Sequence, residues 1–211
     1  MKNHITDTDT AFHTFHTLLL HLHGDIPDAM QTFARQQISQ GNAIRFIKPA
    51  ETLAGFLSRH RFSPKQLLLI TDSEETLAAA RNHSIAAAGF QRTNMPYLSA
   101  PYLFQEFSEG LGDYLRLAYC RFHGLPFVIA YTPRLVLRET CRADLPLLLS
   151  IYKEADCNAA RWFFPAQDQE AFLDAYIRTM YGLHQLGMYT VLRRLDNAVI
   201  GHCGFDFKAS P

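Results

Sequence analysis

LLLITDSEETLAAARNHSIAAAGF, residues 67–90, places one polar, helix-forming stretch between two apolar runs. The first run, Gln66 to Thr71, is continuous, which is typical of a strand buried on both faces. Residues 73–82 predict a helix, because Ser73 can cap its first turn. Ile85 to Gly89 predicts a second buried strand. A strand, a helix and a strand in this order predict parallel pairing and an α/β fold.

The pattern extends in both directions from this segment. Residues 10–40 predict two helices, because Phe12, Phe15, Leu19 and Leu22 lie at helical spacing and Asp25 can cap the second helix. The remaining expected elements are a strand at 43–47, a helix at 50–60, a strand at 102–104 and a helix that begins near Leu111 and ends at Gly124. Residues 1–123 are therefore expected to form a small parallel, three-layer module.

A second unit is predicted for residues 134–211, after an apolar connection at 124–133. A strand at 134–139 precedes a helix at about 144–155, and a long helix at about 168–186 leads into two strands, 188–194 and 198–207. The strands are expected to pair across the turn at Asp196 and Asn197. The order β-α-α-β-β indicates an α+β unit.

Composition limits the possible functions. The chain has 20 Lys and Arg against 20 Asp and Glu and no basic run, so nucleic-acid binding is not expected. No apolar stretch approaches the ~20 residues of a spanning helix, and the N-terminus does not resemble a signal peptide. The four widely spaced cysteines predict neither a zinc site nor a disulfide framework. These features favour a cytoplasmic protein without a bound metal.

The second unit resembles the opening of a GCN5-related N-acetyltransferase (GNAT) domain. The resemblance rests on RLVLRETCRADLPLLLSIY at 134–152, on the long helix that leads directly into a strand, and on NAVIGHCGF at 197–205, where Ile200-Gly201 matches a pair common on the family's third strand. It covers about residues 134–207 and implies acyl transfer from acetyl-CoA to a small-molecule or peptide amine.

One family feature has no counterpart in this sequence. GNAT enzymes bind the pyrophosphate of acetyl-CoA on a Gly-rich turn at a helix N-terminus, where free N–H groups and the helix dipole favour anions. Nothing in the 211 residues matches that turn. The sequence is therefore expected to be a GNAT fragment that does not bind acetyl-CoA and is inactive alone. No catalytic or cofactor-binding residue can be transferred from the family.

The segment 67–90 resembles haloacid dehalogenase-like (HAD-like) phosphatases, in which a strand ends in an Asp-bearing turn. Asp72 and Ser73 match the start of that turn, but the family's second acidic position falls on Thr76. Asp7 and Asp9 have the spacing of the nucleophile motif without the buried strand that should precede them. A possible ligand site at Asp72 and Ser73 follows, although both residues could simply cap the next helix.

Other candidate residues have both functional and structural interpretations. Trp162, Phe163, Phe164 and Tyr189 could line the acceptor pocket or cover a core. The histidines are expected on a solvated or partly buried helix face rather than at a metal; they are His13, His16, His21 and His23.

The favoured interpretation is a HAD-like or Rossmann-like module at about residues 1–123, followed by a fragment of a GNAT-family acyltransferase. The alternative is a small-ligand-binding module or degenerate HAD-like phosphatase without acyltransferase activity. An exposed sheet edge at 198–207 also predicts self-association.

Overall fold

The computed structural model describes residues 15–93, 95–154 and 167–205. The chain divides into two compact units, Met1–Leu125 and Pro126–Pro211, called here the N-terminal and C-terminal units. The N-terminal unit contains a parallel five-stranded sheet, and the C-terminal unit contains a separate four-stranded antiparallel sheet. The chain therefore belongs to the α/β class, as the sequence predicts.

Strands and helices alternate in the N-terminal unit. The strands are β1 (Thr17–His21), β2 (Ala43–Phe46), β3 (Leu67–Thr71), β4 (Ala86–Phe90) and β5 (Leu103–Phe104). The helices are α1 (Asp28–Ser39), α2 (Leu53–Arg59), α3 (Glu74–Asn82) and α4 (Leu111–Phe122). The strand order across the sheet is β2-β1-β3-β4-β5.

The two central strands, β1 and β3, are buried along their whole length. Successive side chains of a strand point to opposite faces, so full burial means that both faces are covered. On one face Leu19, Leu67 and Leu69 pack with Leu53 and Phe56 of α2 and with Ala80 of α3. This packing fixes the carboxyl ends of β1 and β3 side by side.

The expected helix over residues 10–23 is wrong where the structure describes it. Residues 17–21 form β1, which pairs with β2 and β3. The apolar residues of TLLLH are contiguous as well as helically spaced, and a short apolar run fits a strand buried on both faces equally well. The next helix, α1, begins at Asp28 after Pro27, so Asp25 does not cap it.

The C-terminal unit begins with two paired strands, β6 (Val128–Tyr131) and β7 (Leu135–Glu139). A 3₁₀ turn and α5 (Leu145–Glu154) follow, then α6 (Gln169–Tyr176), a π-helix (Ile177–His184), β8 (Met188–Arg193) and β9 (Val199–Gly204). The sheet order is β6-β7-β8-β9. Its core combines Leu145 and Leu148 of α5 with Leu173 of α6 and three tyrosines, Tyr176, Tyr181 and Tyr189.

Two features of this unit differ from the sequence-based expectation. Residues 124–133 are not only a connection, because β6 lies within them and forms one edge of the sheet. The expected single helix over 168–186 is an α-helix that continues as a π-helix from Ile177. There the hydroxyls of Tyr176 and Tyr181 bond the backbone of Met188, which ties the helix to the start of β8.

No helix in the described ranges combines the length and the apolar character that crossing a membrane requires.

Candidate functional site

In the parallel sheet, the strands that follow β1 along the chain are added on both sides of it. From β1 the chain moves to β2 on one side, and β3, β4 and β5 follow on the other. In open parallel sheets, ligands bind outside the carboxyl ends of the strands at such a reversal of strand order. The residues that follow β1, β3 and β4 here include His23, Asp72 and Arg92. We call these three residues, together with His21, the strand-end site.

The Asp72 carboxylate is the centre of the strand-end site. It accepts hydrogen bonds from the backbone N–H of His23 at 2.9 Å and from Nε of Arg92 at 2.6 Å. The N–H of Gly24 lies 3.4 Å from Oδ2, and Nδ1 of His23 lies 3.0 Å from Oδ1. A single carboxylate thereby connects the ends of β1, β3 and β4.

Asp72 is a positioning residue rather than a helix cap. Ser73 is the N-cap of α3, with its hydroxyl accepting from the Thr76 N–H at 3.3 Å. The Asp72 side chain is only 5 % exposed. Burial favours the neutral form, but the hydrogen bonds from Arg92 and His23 outweigh it and hold the pKa of Asp72 below its usual value. The carboxylate is ionised, and its oxygens are occupied by donors.

Two buried polar atoms of the strand-end site have no hydrogen-bond partner among the described residues: Nε2 of His21 and Nη2 of Arg92. His21 is 2 % exposed, and its Nδ1 lies 3.1 Å from the Thr76 hydroxyl. Burial, followed by the charge of His23, lowers the pKa of His21, so the ring is neutral. Both atoms have almost no solvent-accessible surface, and an unpaired buried polar atom costs about 1–3 kcal/mol.

A cleft of ≈ 520 Å³ opens beside Asp72 and Arg92. This volume lies within the range of about 300–1,000 Å³ usual for small-molecule sites. The walls are mainly apolar, with contributions from Phe90, Met95, Tyr97 and Leu98. The cleft therefore combines one cationic group, Arg92, and the carboxylates of Asp72 and Glu74 with apolar and aromatic walls.

The C-terminal unit contains a separate polar cluster inside its fold. Arg138 of β7 makes a two-pronged ion pair with Asp144, with both N···O distances at 2.6 Å. Oγ1 of Thr190 lies 3.0 Å from both the Asp144 carboxylate and the Thr140 hydroxyl. His202 of β9 completes the cluster, with Nε2 3.1 Å from the Thr140 hydroxyl and Nδ1 3.0 Å from that of Tyr152.

The titration behaviour of this polar cluster follows from its burial. Burial favours neutral Asp144, yet the Arg138 bonds dominate and keep the pKa of Asp144 low. Burial lowers the pKa of His202 to about 4, and the negative charge of Asp144, which raises the pKa, offsets this only in part. The two nitrogens of the neutral ring are both within hydrogen-bonding distance of hydroxyls. The cluster therefore ties β7, α5, β8 and β9 together.

The structure locates only some of the candidates from sequence. Asp72 and Ser73 follow the carboxyl end of β3, whereas Tyr189 lies in the core, stacked on Tyr181 at 5.8 Å. Trp162, Phe163 and Phe164 lie outside the described residues.

The contributions of His21, His23 and Arg92 to this site were not predicted from the sequence. The two histidines were placed on a helix that does not form, and Arg92 had no motif of its own. The available signal was positional, because His21 ends β1 and because His23 and Arg92 follow β1 and β4 as Asp72 follows β3. Among the described residues no group of three or more His, Cys, Asp or Glu side chains is arranged to hold a metal ion.

Comparisons with family models, with curated proteins and with solved structures gave no match to this chain.

Proposed function

We propose that the N-terminal unit is a small-ligand-binding module that takes an anion at the strand-end site. The observation that carries this proposal is the Arg92 guanidinium, which lines the cleft with its side chain 21 % exposed and whose Nη2 has no hydrogen-bond partner among the described residues. A phosphate or carboxylate oxygen is the acceptor that a guanidinium binds most strongly. The charges of the two nearby acids are partly offset, because Asp72 is paired with Arg92 and Glu74 lies 3.7 Å from Nη2 of Arg81.

The proposal favours binding over phosphate hydrolysis. A HAD-like nucleophile or metal-binding aspartate needs a carboxylate oxygen open to the ligand. The oxygens of Asp72 face the donors of His23, Gly24 and Arg92 instead. We therefore assign Asp72 the role of positioning Arg92, and we expect no Mg²⁺-dependent hydrolysis of phosphate esters.

Titration with inorganic phosphate, followed by amide chemical shifts, tests the anion site. We expect saturable binding and shifts centred on the residues after β1, β3 and β4. Arg92→Met should weaken binding about ten- to hundredfold, the value of a hydrogen bond to a charged group. The matched control is Arg116→Met, which removes an exposed arginine paired with Asp113. Equal affinity in Arg92→Met and the wild type would refute the site.

A second proposal concerns the C-terminal unit as part of a GNAT-like acyltransferase. Its support is the order β7, α5, α6, β8, β9 with antiparallel pairing of β7, β8 and β9, together with the resemblance over 134–207. Direct transfer in that family would depend on positioning the thioester beside an amine. Because the sequence lacks the Gly-rich turn, we expect no specific acetyl-CoA binding to this chain. Calorimetry that gave a micromolar, saturable dissociation constant would contradict that expectation.

A further inference from the structure

The loop that follows β4 is organised by one buried side chain, the amide of Gln91. Its Nε2 lies within hydrogen-bonding distance of three backbone carbonyls, those of Arg92 at 3.1 Å and of Met95 and Pro96 at 3.3 Å. Its Oε1 accepts from the Leu98 N–H at 2.9 Å. The amide therefore holds the backbone of the loop from the inside.

The far end of the same loop is fixed to α3. The N–H of Ser99 donates to the Glu74 carboxylate at 2.7 Å, and the Ser99 carbonyl accepts from Nη1 of Arg81 at 3.0 Å. Despite this anchoring, the loop presents two large apolar side chains to solvent. Tyr97 is 84 % exposed and Met95 is 58 % exposed, and both line the cleft. An aromatic ring held in the open on a fixed loop is arranged to contact something other than its own core.

Arg92 is fixed from three sides. Its Nε donates to Asp72, and its guanidinium carbon lies 5.0 Å from the centre of the Phe90 ring. Gly24 packs so closely that a Cβ there would lie 2.9 Å from the guanidinium carbon. The charged group and the aromatic ring of Tyr97 are therefore both presented on supported backbone, at one cleft.

We infer that the ligand of the cleft is a small anion carrying an aromatic ring, with its anionic oxygens on Arg92 and its ring against Tyr97 and Met95. This inference rests on the proposed anion site and names the chemical class that the site takes. A bare inorganic anion would bind Arg92 and leave the apolar wall of the cleft exposed to water. A neutral aromatic molecule would use that wall and leave the Arg92 guanidinium without an anionic partner.

Paired probes separate the two contributions. Inorganic phosphate is compared with phenyl phosphate, and acetate is compared with benzoate. Within each pair only the second ligand carries an aromatic ring. The first pair has a phosphate group and the second pair has a carboxylate. We expect the aromatic member of at least one pair to bind roughly two- to tenfold more tightly than its partner, as one aromatic contact provides. Phenol, which has the ring without the charge, should bind more weakly than phenyl phosphate.

Three variants assign these contributions to side chains. Tyr97→Ala should remove the advantage of phenyl phosphate and leave the affinity for inorganic phosphate unchanged. Arg92→Met should weaken both ligands. Gly24→Ala should also weaken both, because its new methyl group meets the guanidinium and displaces it from its place beside Asp72. The control is Tyr131→Ala, which removes an exposed tyrosine of the other unit.

The outcomes distinguish the inference from the proposed function beneath it. If phosphate binds through Arg92 but the ring adds nothing in either pair, or if Tyr97→Ala leaves the advantage intact, the inference fails and the anion site stands. If no anion binds, or if binding ignores Arg92→Met, the anion site and the inference both fail.

Discussion

His202 makes the C-terminal unit sensitive to mild acid, and His202→Gln should remove most of that sensitivity. The ring is largely buried between the hydroxyls of Thr140 and Tyr152, where burial lowers its pKa to about 4 from an ordinary value of 6.5. The unfolded chain therefore binds a proton at a pH at which the folded chain does not. Acid consequently favours unfolding, and this contribution to stability is lost as the pH falls from about 6.5 towards about 4.

The size of the effect follows from the two pKa values. Each unit of difference corresponds to about 1.4 kcal/mol, so the full loss below both pKa values is about 3 kcal/mol. Between about pH 7 and about pH 5 the two proton-binding curves give a loss of about 2 kcal/mol. Glutamine stays neutral across this range and keeps groups that can hydrogen-bond a hydroxyl, so the variant lacks the titration.

Native-state hydrogen exchange of the β7 and β8 amides measures the free energy of opening for this unit. Wild type and His202→Gln are compared at both pH values, and the difference between the two proteins isolates the histidine from all other titrating groups. His184→Gln controls for the loss of an exposed histidine in the same unit. A difference between wild type and His202→Gln that is the same at both pH values would refute the reasoning.

Three further predictions concern the C-terminal unit. Asp144→Ala leaves the Arg138 charge buried without its partner and should cost about 3–5 kcal/mol in urea denaturation, whereas replacing both residues with apolar ones should cost much less; equal costs would contradict this. Gly204→Ala should destabilise by about 1–3 kcal/mol, because φ is +153° and a Cβ would lie 2.1 Å from a carbonyl oxygen, while Gly110→Ala, with nothing within 4 Å, should not. The β9 edge carries exposed Ile200, and we expect concentration-dependent self-association in sedimentation that Ile200→Lys abolishes; a monomer at all concentrations would contradict this.

Segment 67–90 was predictable because several local signals agree there. A long apolar run, a capping serine and a second apolar run specify β3, α3 and β4, and the structure has all three in place. At residues 17–21 the same kind of evidence was ambiguous, since the spacing of apolar residues fits a helix and their continuity fits a strand. Pairing with β2 and β3 resolves it, and pairing partners cannot be read from local periodicity.

The candidate site was predictable only in part for the same reason. Asp72 was visible because it follows a recognisable buried strand. Arg92 and His23 lie 20 and 49 residues from Asp72 along the chain, and only the order of strands in the sheet brings them to its carboxylate. The π-helix was also not predicted, and the bonds of Tyr176 and Tyr181 to Met188 that accompany it cannot be read from local sequence.

The amide of Gln91 bonds backbone atoms of its loop. The backbone conformation of the loop therefore does not depend on which side chains it presents to solvent. Positions 95 and 97 can therefore change while the frame that carries them persists. Single substitutions at these two positions should therefore change the apolar surface beside Arg92 at little cost in folding. A small set of variants substituted at these two positions, with Gln91 and Arg92 retained, could therefore be screened for altered ligand binding without changing the fold.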